Sequence, residues 1–385
     1  MKVLAILVLL RVLCIGAQAQ DWSVTACENQ TDSDLGSDST IQQALEKLTN
    51  LGVPVVAAAV YRQGKFEHYA AGFASIEDRI PMGNCQGHYL QSIAKLYLAV
   101  TVMQLAETGR VDLDQKISTY LPANILLLLP DSGQITVRML LNHTSGLPEY
   151  NDVPLYITRL LQNPDKVFEP LELLGYVNQK KLDFEPGSRY SYRNTNYLVL
   201  ALMMDHLTGD HVAYMQANIF DKLGLQHTYY RISPESPAKE FLVQSYWDRF
   251  SDGKIENISQ FQWNNVASMI GDDGIVSTPE DAILFLKGLM EGKLVSVKSL
   301  EEMQVWVKNR NGVAAYGLGL DLGRFSGHEG MGHSGGGLGS GTQLYYFPEK
   351  ELYVFMGINL GTVTASPIHE KGEKILEEIY QILLK

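Results

Sequence analysis

The apolar run at 96–103, Leu-Tyr-Leu-Ala-Val-Thr-Val-Met, constrains the fold most, because a stretch this apolar belongs inside a protein. It directly follows Ser92-Ile-Ala-Lys95, so we expect a buried helix that begins at this tetrapeptide. Ser92 and Lys95 lie three positions apart and would share one helix face. A hydroxyl and an amine so placed can act as nucleophile and proton acceptor. Unpaired N–H groups at the helix start can stabilise an oxyanion. The tetrapeptide therefore predicts an acyl-transfer centre.

Ser-x-x-Lys is a short pattern, and about one chance copy is expected in a chain of this length. Two further copies occur, Ser236-Pro-Ala-Lys239 and Ser251-Asp-Gly-Lys254. The first lies in a stretch rich in Pro and Ser, and the second contains a glycine beside an acidic residue. Neither precedes a long apolar run, so the sequence context favours Ser92 as the nucleophile.

Composition limits the classes of partner. The 385 residues are 45% hydrophobic, which is enough for a packed core. The net charge is −12, from 43 acidic and 31 basic residues. Because no dense Lys/Arg cluster is present to bind phosphates, we expect no nucleic-acid partner.

Residues 1–19 have the pattern of a secretory signal peptide. Lys2 provides the positive start, 3–10 the apolar stretch, and Ala-Gln-Ala at 17–19 a cleavage site. Arg11 interrupts the apolar stretch, which leaves it too short to span a bilayer. We therefore expect a secreted or periplasmic protein without stable membrane insertion after cleavage.

Two cysteines, Cys27 and Cys85, remain in the expected mature chain. In an exported protein they could form a disulfide, worth about 4 kcal/mol by loop closure. They could equally stay as two unpaired thiols, and the sequence leaves both readings open. Two cysteines provide no zinc framework, so we expect no metal site.

The order of predicted elements indicates an α+β fold. Strands are predicted at 53–61 and 66–73, joined by a turn at Gln63-Gly64, and again at 342–347 and 352–358. A helix capped by Ser39 or Thr40 precedes the first pair, and another from Pro367 ends the chain. We expect an antiparallel sheet built from both chain ends and flanked by helices.

The domain organisation follows from this order. We expect residues 20–37 to be irregular and 38–385 to form one catalytic domain, with a mainly helical insert at roughly 110–260. Helical periodicity marks 171–177 and 197–207. Residues 231–265 are predicted to form a long loop, either a lid or binding segment or a surface excursion packed by its own aromatic residues.

A serine–lysine centre needs a second proton-handling group. Tyr192 and Asn194 stand two apart before a predicted helix. A tyrosine hydroxyl can pass a proton to a leaving group if nearby cations lower its pKa. An asparagine amide can bind both the lysine and a substrate carbonyl. A similar pair, Tyr176-Val-Asn178, falls within a predicted helix and is better explained by amphipathic patterning.

A glycine-rich stretch begins with Gly-His-Ser-Gly-Gly at 332–336 and precedes the predicted strand at 342–347. Glycines let the backbone approach a ligand and leave N–H groups free for an oxyanion. These features make His333, Gly335 and Gly336 candidate substrate-binding residues. The similar triplet His328-Glu-Gly330 lies just upstream.

Together these residues resemble the serine β-lactamase and penicillin-binding-protein superfamily, in its branch of class C β-lactamases, D-amino-acid peptidases and family VIII esterases. The family's elements are Ser-x-x-Lys, Tyr-x-Asn and a Lys- or His-x-Gly triplet, matched in order by Ser92–Lys95, Tyr192–Asn194 and His333–Gly335. Stretches at 135–148, 274–281 and 316–319 look similar as well. The resemblance spans roughly residues 38–380 and implies the β-lactamase/penicillin-binding-protein-like fold.

The resemblance also implies roles. Ser92 would be acylated, Lys95 and Tyr192 would share acid and base duties, and Asn194 would orient them. The N–H groups of Ser92 and Gly336 would form the oxyanion hole, and no cofactor would be needed.

One departure from the family pattern affects the expected substrate. His333 stands where classical β-lactamases and D,D-peptidases carry a lysine that meets the substrate carboxylate, and histidine is largely neutral at pH 7. Gly336 replaces a small hydroxyl residue that is often found there. We therefore expect a secreted serine hydrolase of carboxylesterase or peptidase type, acting on a small-molecule or peptide substrate. The alternatives are a β-lactamase or D,D-carboxypeptidase in cell-wall metabolism, and an inactive binding or scaffold protein.

Overall fold

The computed structural model describes residue 36 and residues 38–178, 180–230 and 236–385. The predicted signal peptide and most of the predicted irregular segment lie outside these residues. The strands, in chain order, are β1 Val55–Arg62, β2 Lys65–Ser75, β3 Ile80–Pro81, β4 His88–Tyr89, β5 Tyr229–Tyr230, β6 Tyr246–Trp247, β7 Glu256–Asn257, β8 Ile275–Ser277, β9 Val307–Lys308, β10 Ala314–Tyr316, β11 Asp321–Phe325, β12 His328–Gly336, β13 Gly341–Phe347 and β14 Leu352–Ile358.

The α-helices are distributed along the whole described chain, with several of them between β4 and β9. In chain order they are α1 Ser39–Asn50, α2 Ala94–Glu107, α3 Ala123–Leu126, α4 Val137–Leu141, α5 Pro154–Gln162, α6 Pro170–Gly175, α7 Asn194–Thr208, α8 His211–Met215, α9 Asp221–Leu223, α10 Ala238–Phe241, α11 Ser259–Ser268, α12 Pro279–Met290, α13 Val297–Met303 and α14 Pro367–Leu383.

The large sheet draws its strands from both ends of the chain. Its nine strands run in the order β3-β2-β1-β14-β13-β12-β11-β10-β9, and all neighbours are antiparallel. β1 pairs with β2 through the turn at Gln63 and Gly64, whose φ angles of 52° and 81° are positive. The prediction of an α+β fold with an antiparallel sheet flanked by helices is confirmed.

Helices cover both faces of this sheet because side chains alternate along each strand. On β14, Val354 and Met356 belong to the core that packs under α1 and α14, whereas Tyr353 and Phe355 belong to the core shared with α2, α7 and α12. The strand is therefore buried on both faces. This layering holds α2 firmly against the sheet.

The apolar run at 96–103 forms the middle of α2, and every one of its residues is buried. α7 is buried in the same way from Thr195 to Met204 and packs against α2. Within the described residues, no helix is both long and apolar enough to cross a membrane. Because both helices are packed in the interior, they fix the positions of the residues at their N-terminal ends.

Three details differ from the sequence predictions. The cap of α1 is Asp38, whose carboxylate accepts the Thr40 N–H at 2.8 Å, rather than Ser39 or Thr40. The predicted helix at 171–177 ends at Gly175. The predicted long loop contains α11, whose many Asn, Gln and Ser residues conceal its helical pattern although most of them are buried by tertiary contacts.

Cys85 is disulfide-bonded. Cys27, the partner considered in one of the two readings of the sequence, lies outside the described residues.

Candidate active site

The turn that carries Ser92 is held in an unusual conformation. Gln91 precedes Ser92 with a φ of 53°, a left-handed value that few residues other than glycine adopt. Its side chain donates a hydrogen bond to the Ser340 hydroxyl at 2.7 Å, and the Leu90 carbonyl accepts one from Thr342 at 2.9 Å. Strained turns at functional sites need such support. The surrounding contacts fix Ser92, which lines two neighbouring clefts.

Lys95 lies one turn further along and is fully buried. Its Nζ donates hydrogen bonds to Ser92 Oγ at 3.0 Å and to the backbone carbonyl of Asp272 at 2.7 Å. Burial lowers the pKa of Lys95 to about 8, against the opposing effect of nearby carboxylates. A lysine with this pKa can lose its proton near neutral pH and accept one from the serine.

Three buried carboxyl groups act on Lys95: those of Asp272, Asp273 and Glu149. Burial raises the pKa of Glu149 and of Asp273 to about 7, and it raises the pKa of Asp272 as well. Gly271, with a φ of 80°, lets this segment approach α7 closely, since a Cβ there would lie 2.3 Å from the Tyr197 carbonyl oxygen. The lysine is thus surrounded by more acidic groups than it can neutralise.

Tyr192 is adjacent to this pair. The Lys95 Nζ lies 5.0 Å from the centre of its ring. Its hydroxyl is buried without a hydrogen-bond partner among the described residues. Burial raises the pKa of Tyr192 well above 10, although Ser92 opposes this rise. The lowered pKa required of Tyr192 is therefore absent, and Lys95 is the better-suited base.

Asn194 begins α7 and lines the larger cleft. Its backbone N–H donates to Glu149, which also accepts the N–H of Asn151 at 3.1 Å. Within the described residues, the amide of Asn194 makes no hydrogen bond to Lys95, whose partners are Ser92 and Asp272. The predicted contact by which Asn194 would orient the lysine is therefore not seen in this structure. The side chain of Asn194 lines the cleft, where it can contact a substrate.

His333 lies on β12 and is satisfied on both ring nitrogens. Nδ1 lies 2.5 Å from the Ser334 carbonyl and must therefore donate, so Nε2 accepts from the Tyr316 hydroxyl at 2.8 Å. Burial lowers the pKa of His333 to about 3, and the charge of Lys95 acts in the same direction. His333 is neutral at pH 7 and offers a substrate no cation.

Gly335 allows β12 to pass directly over the Ser92 turn. A Cβ at Gly335 would lie 2.4 Å from the Leu90 carbonyl oxygen and 2.7 Å from Gln91 Cβ. Gly336 follows and lines both clefts together with Ser92. All of the predicted site residues, Ser92, Lys95, Tyr192, Asn194, His333, Gly335 and Gly336, are thus brought together.

Sequence reasoning missed several residues of this site. Tyr316 belongs to one of the stretches noted for family resemblance, but no role was assigned to it. The same is true of His143, whose ring lies 4.3 Å from that of Tyr192 and 4.7 Å from that of Tyr316. Glu149 and Asp272 gave no local signal, because their effect depends on tertiary contact with Lys95.

The larger cleft beside Ser92 has a volume of about 780 Å³. One part of its lining is apolar and comes from α5 and the segment after β6, with Ile157, Leu161 and Phe250 all at least 41% exposed. Another part is acidic, formed by Asp272 and Asp273. Within the described part of the chain, no three His, Cys, Asp or Glu side chains are grouped so that they could hold a metal ion.

The chain is similar to known proteins over most of its length. The putative penicillin-binding protein PbpX of Bacillus subtilis (strain 168) is 27% identical over 276 residues, which cover 70% of this chain and 63% of that protein. The D-aminopeptidase of Brucella anthropi is 26% identical over 306 residues, covering 78% of this chain and 55% of that protein. The chain spans less than two thirds of the length of these curated relatives.

The crystal structure of D-amino acid amidase from Ochrobactrum anthropi SV3 complexed with L-phenylalanine amide is similar throughout. It superposes with a TM-score of 0.77 at 25% sequence identity and covers 89% of this chain and 97% of that one. The family model described as Beta-lactamase matches residues 38–371. Because that match covers most of the sequence, the chain belongs to the β-lactamase family.

Proposed function

We propose that this protein is a secreted serine hydrolase that cleaves ester or amide bonds through an acyl-enzyme. The hydrogen bond from Lys95 to Ser92, with the lysine fully buried, carries the proposal. Burial holds the pKa of Lys95 at about 8, so the amine can become neutral near physiological pH. Neither other copy of Ser-x-x-Lys has this setting, because Ser251 is exposed and Ser236 is only partly buried, both outside helices and strands.

In the proposed reaction, Lys95 takes the Ser92 proton as Ser92 Oγ attacks the substrate carbonyl. The backbone N–H groups of Ser92 and Gly336 stabilise the oxyanion. Tyr192, neutral because of its raised pKa, passes a proton to the leaving group. Expulsion of that group leaves the acyl group on Ser92. In the second half of the reaction, water attacks the acyl group and gives its proton to Tyr192. Lys95 then returns a proton to Ser92 Oγ as the acid product leaves.

The neutral state of His333 supports substrates without a carboxylate at that position. A permanent cation there would attract a carboxylate, whereas the His333 nitrogens are already bonded to Ser334 and Tyr316. This favours carboxylesterase or peptidase activity over β-lactamase or D,D-carboxypeptidase activity. Amide hydrolysis also fits the likeness to an aminopeptidase and an amidase.

The test compares the mature chain, from Gln20 onward, with Ser92→Ala and with Ser251→Ala as a matched control from a second Ser-x-x-Lys copy. Substrates are a short p-nitrophenyl ester, an amino-acid p-nitroanilide, nitrocefin and a D-Ala-D-Ala peptide. We expect ester or anilide turnover that Ser92→Ala abolishes and Ser251→Ala preserves. Efficient cleavage of nitrocefin or D-Ala-D-Ala would instead assign the protein to cell-wall or antibiotic chemistry.

A fluorophosphonate probe separates a slow enzyme from a scaffold protein. Labelling at Ser92 is expected, together with loss of labelling in Ser92→Ala. A stable acyl-enzyme without turnover would favour the binding-protein alternative, and absence of both labelling and turnover would overturn the proposed function. Mass spectrometry of the exported protein tests the signal peptide, with a mature N-terminus at Gln20 as the expected result.

A further inference from the structure

Three buried oxygen atoms in the lining of the large cleft have no hydrogen-bond partner among the described residues. They are Oδ1 of Asp272, Oδ1 of Asn265 and the hydroxyl oxygen of Tyr156. The three residues are 2%, 4% and 1% exposed. Buried polar atoms are nearly always paired, because an unpaired one loses its bond to water without replacement. These three atoms are therefore free to accept hydrogen bonds from a molecule bound in the cleft.

The charges in the cleft favour a cationic ligand. Its charged lining residues in the described chain are the acidic Asp152, Asp272 and Asp273 and the basic Arg249. Arg249 stacks on Trp247 at 5.0 Å, and its Nε lies 3.5 Å from a carboxylate oxygen of Glu256 without forming a hydrogen bond among the described residues. Lys95, behind the cleft, balances one negative charge. A further positive charge would therefore be attracted to the acidic part of the lining.

The number and kind of the unpaired atoms favour one type of cation, a primary ammonium group. A primary ammonium group carries three N–H donors and no acceptor, which matches three oxygen acceptors. The other oxygen of Asp272 already accepts from the Tyr150 hydroxyl at 2.6 Å, which fixes the orientation of the carboxyl group. Tyr150 in turn packs edge-on against Tyr156 with ring centres 5.5 Å apart. The acceptors are thus held by packed aromatic side chains before any ligand arrives.

We propose that Asp272, Asn265 and Tyr156 form a subsite for a free primary ammonium group of the substrate. The inference rests on the proposed function and specifies its substrate class: an ester or amide of an amine-bearing acyl group, such as an amino-acid derivative. The apolar part of the cleft, with Ile157 and Phe250, takes the side chain of that acyl group. Acylation of the amine removes its charge and two of its donors, so an N-acetylated substrate fits poorly.

The test measures kcat/KM at pH 7 for phenylalanine p-nitroanilide and for its N-acetyl derivative, with both enantiomers of each. The wild-type protein is expected to prefer the free amine by at least about tenfold, the size of effect expected when buried polar groups are left unpaired. Asn265→Ala and Tyr156→Phe are each expected to reduce this ratio by about fivefold, and Asp272→Asn by more, because it removes the charge. The ratio is the readout, since it cancels changes in the shared chemical step.

The matched control is Asn264→Ala, on the same helix. Asn264 is also buried, but its amide donates to the Pro164 carbonyl at 3.1 Å and is not part of the cleft lining. The ratio should stay at its wild-type value in this variant. An equal fall in the ratio for Asn264→Ala and Asn265→Ala would mean that damage to α11, rather than loss of an acceptor, causes the effect.

A binding measurement keeps the test decisive if turnover is slow. Trp247 lines the cleft and reports occupancy by its fluorescence. Ser92→Ala is titrated with phenylalaninamide and with N-acetylphenylalaninamide, and tighter binding of the free amine, weakened by Asn265→Ala, is the expected result. Equal affinities, or a wild-type ratio near one with Ser92-dependent hydrolysis intact, would overturn the subsite and leave the proposed function standing. Preferential binding of the free amine without any Ser92-dependent reaction would support the subsite and overturn the proposed function.

Discussion

The replacement of Asp273 by asparagine isolates the electrostatic control of Lys95. Asp273 is 4% exposed, and its carboxylate raises the pKa of Lys95 against the effect of burial. Its Oδ1 accepts the Gly274 N–H at 2.7 Å, a bond that an asparagine oxygen can keep. Asp273→Asn therefore removes a group that is charged above its pKa of about 7 while changing the local geometry little, and the pKa of Lys95 should fall.

The magnitude follows from the position of that pKa. At a pKa of about 8, roughly a tenth of Lys95 is neutral at pH 7. Loss of one nearby carboxylate is expected to lower the pKa by roughly one unit, which makes about half of the lysine neutral. If Lys95 is the base, activity rises with pH through its pKa. The variant should thus gain up to about fivefold in kcat/KM at pH 7, less any loss from the weaker basicity of the amine.

The assay is the pH profile of kcat/KM from pH 6 to 10 with a neutral p-nitrophenyl ester. The diagnostic quantity is the midpoint of the rising limb, because a weaker base also lowers the plateau. Asp281→Asn serves as control: Asp281 is a 6% exposed carboxylate that accepts the His227 N–H at 2.7 Å and does not act on Lys95. A midpoint that stays in place, or that rises, in Asp273→Asn would refute the assignment of Lys95 as the base.

Three further predictions concern β12 and its neighbours. Gly335→Ala should lower kcat by at least about a hundredfold with a modest loss of stability, because the added Cβ would displace the Ser92 turn at the Leu90 carbonyl. Steady-state kinetics measures the change in kcat, and thermal unfolding measures the change in stability. Tyr316→Phe should lower the free energy of unfolding by about 1–3 kcal/mol in a denaturant titration, since Nε2 of His333 loses its donor. His333→Lys should raise the rate on nitrocefin relative to the neutral ester by about tenfold, because it adds a cation; an unchanged ratio would contradict this.

The fold was predictable where local patterns are strong. The apolar run of α2, the hairpin of β1 and β2, and the pair β13 and β14 have periodicities and turns that few other structures satisfy. α11 was missed because it buries polar residues such as Gln262 together with apolar ones such as Trp263, so no apolar stripe is visible in its sequence. Its burial depends on the tertiary structure, and no local pattern of hydrophobicity records it.

In the candidate site, too, local patterns identified some residues and could not identify those that act through tertiary contacts. Ser92 and Lys95 were identified because a spacing of three residues in helical backbone, here a turn that continues into α2, brings their side chains onto one face. Glu149 and Asp272 are separated by more than a hundred positions along the chain, and both act on the lysine only after folding. The donor that neutralises His333, Tyr316, comes from a different strand. A residue's electrostatic environment is set by such long-range neighbours, so residue types alone could not provide it.

The two electrostatic features of the site support one conclusion about the substrate. Where the family pattern carries a lysine, the chain has His333, which is buried, fully bonded and neutral, so the attraction for a carboxylate is weak. The larger cleft, which Ser92 also lines, presents Asp272 and Asp273. A neutral residue at 333 and acidic residues in the cleft both disfavour a negative substrate group, and they arise on separate segments of the chain. If His333→Lys and Asp272→Asn shift selectivity toward carboxylate-bearing substrates independently, their effects on the ratio of rates should multiply. Such multiplication would support the proposed subsite for a positive substrate group, and a combined effect no larger than either single one would contradict it.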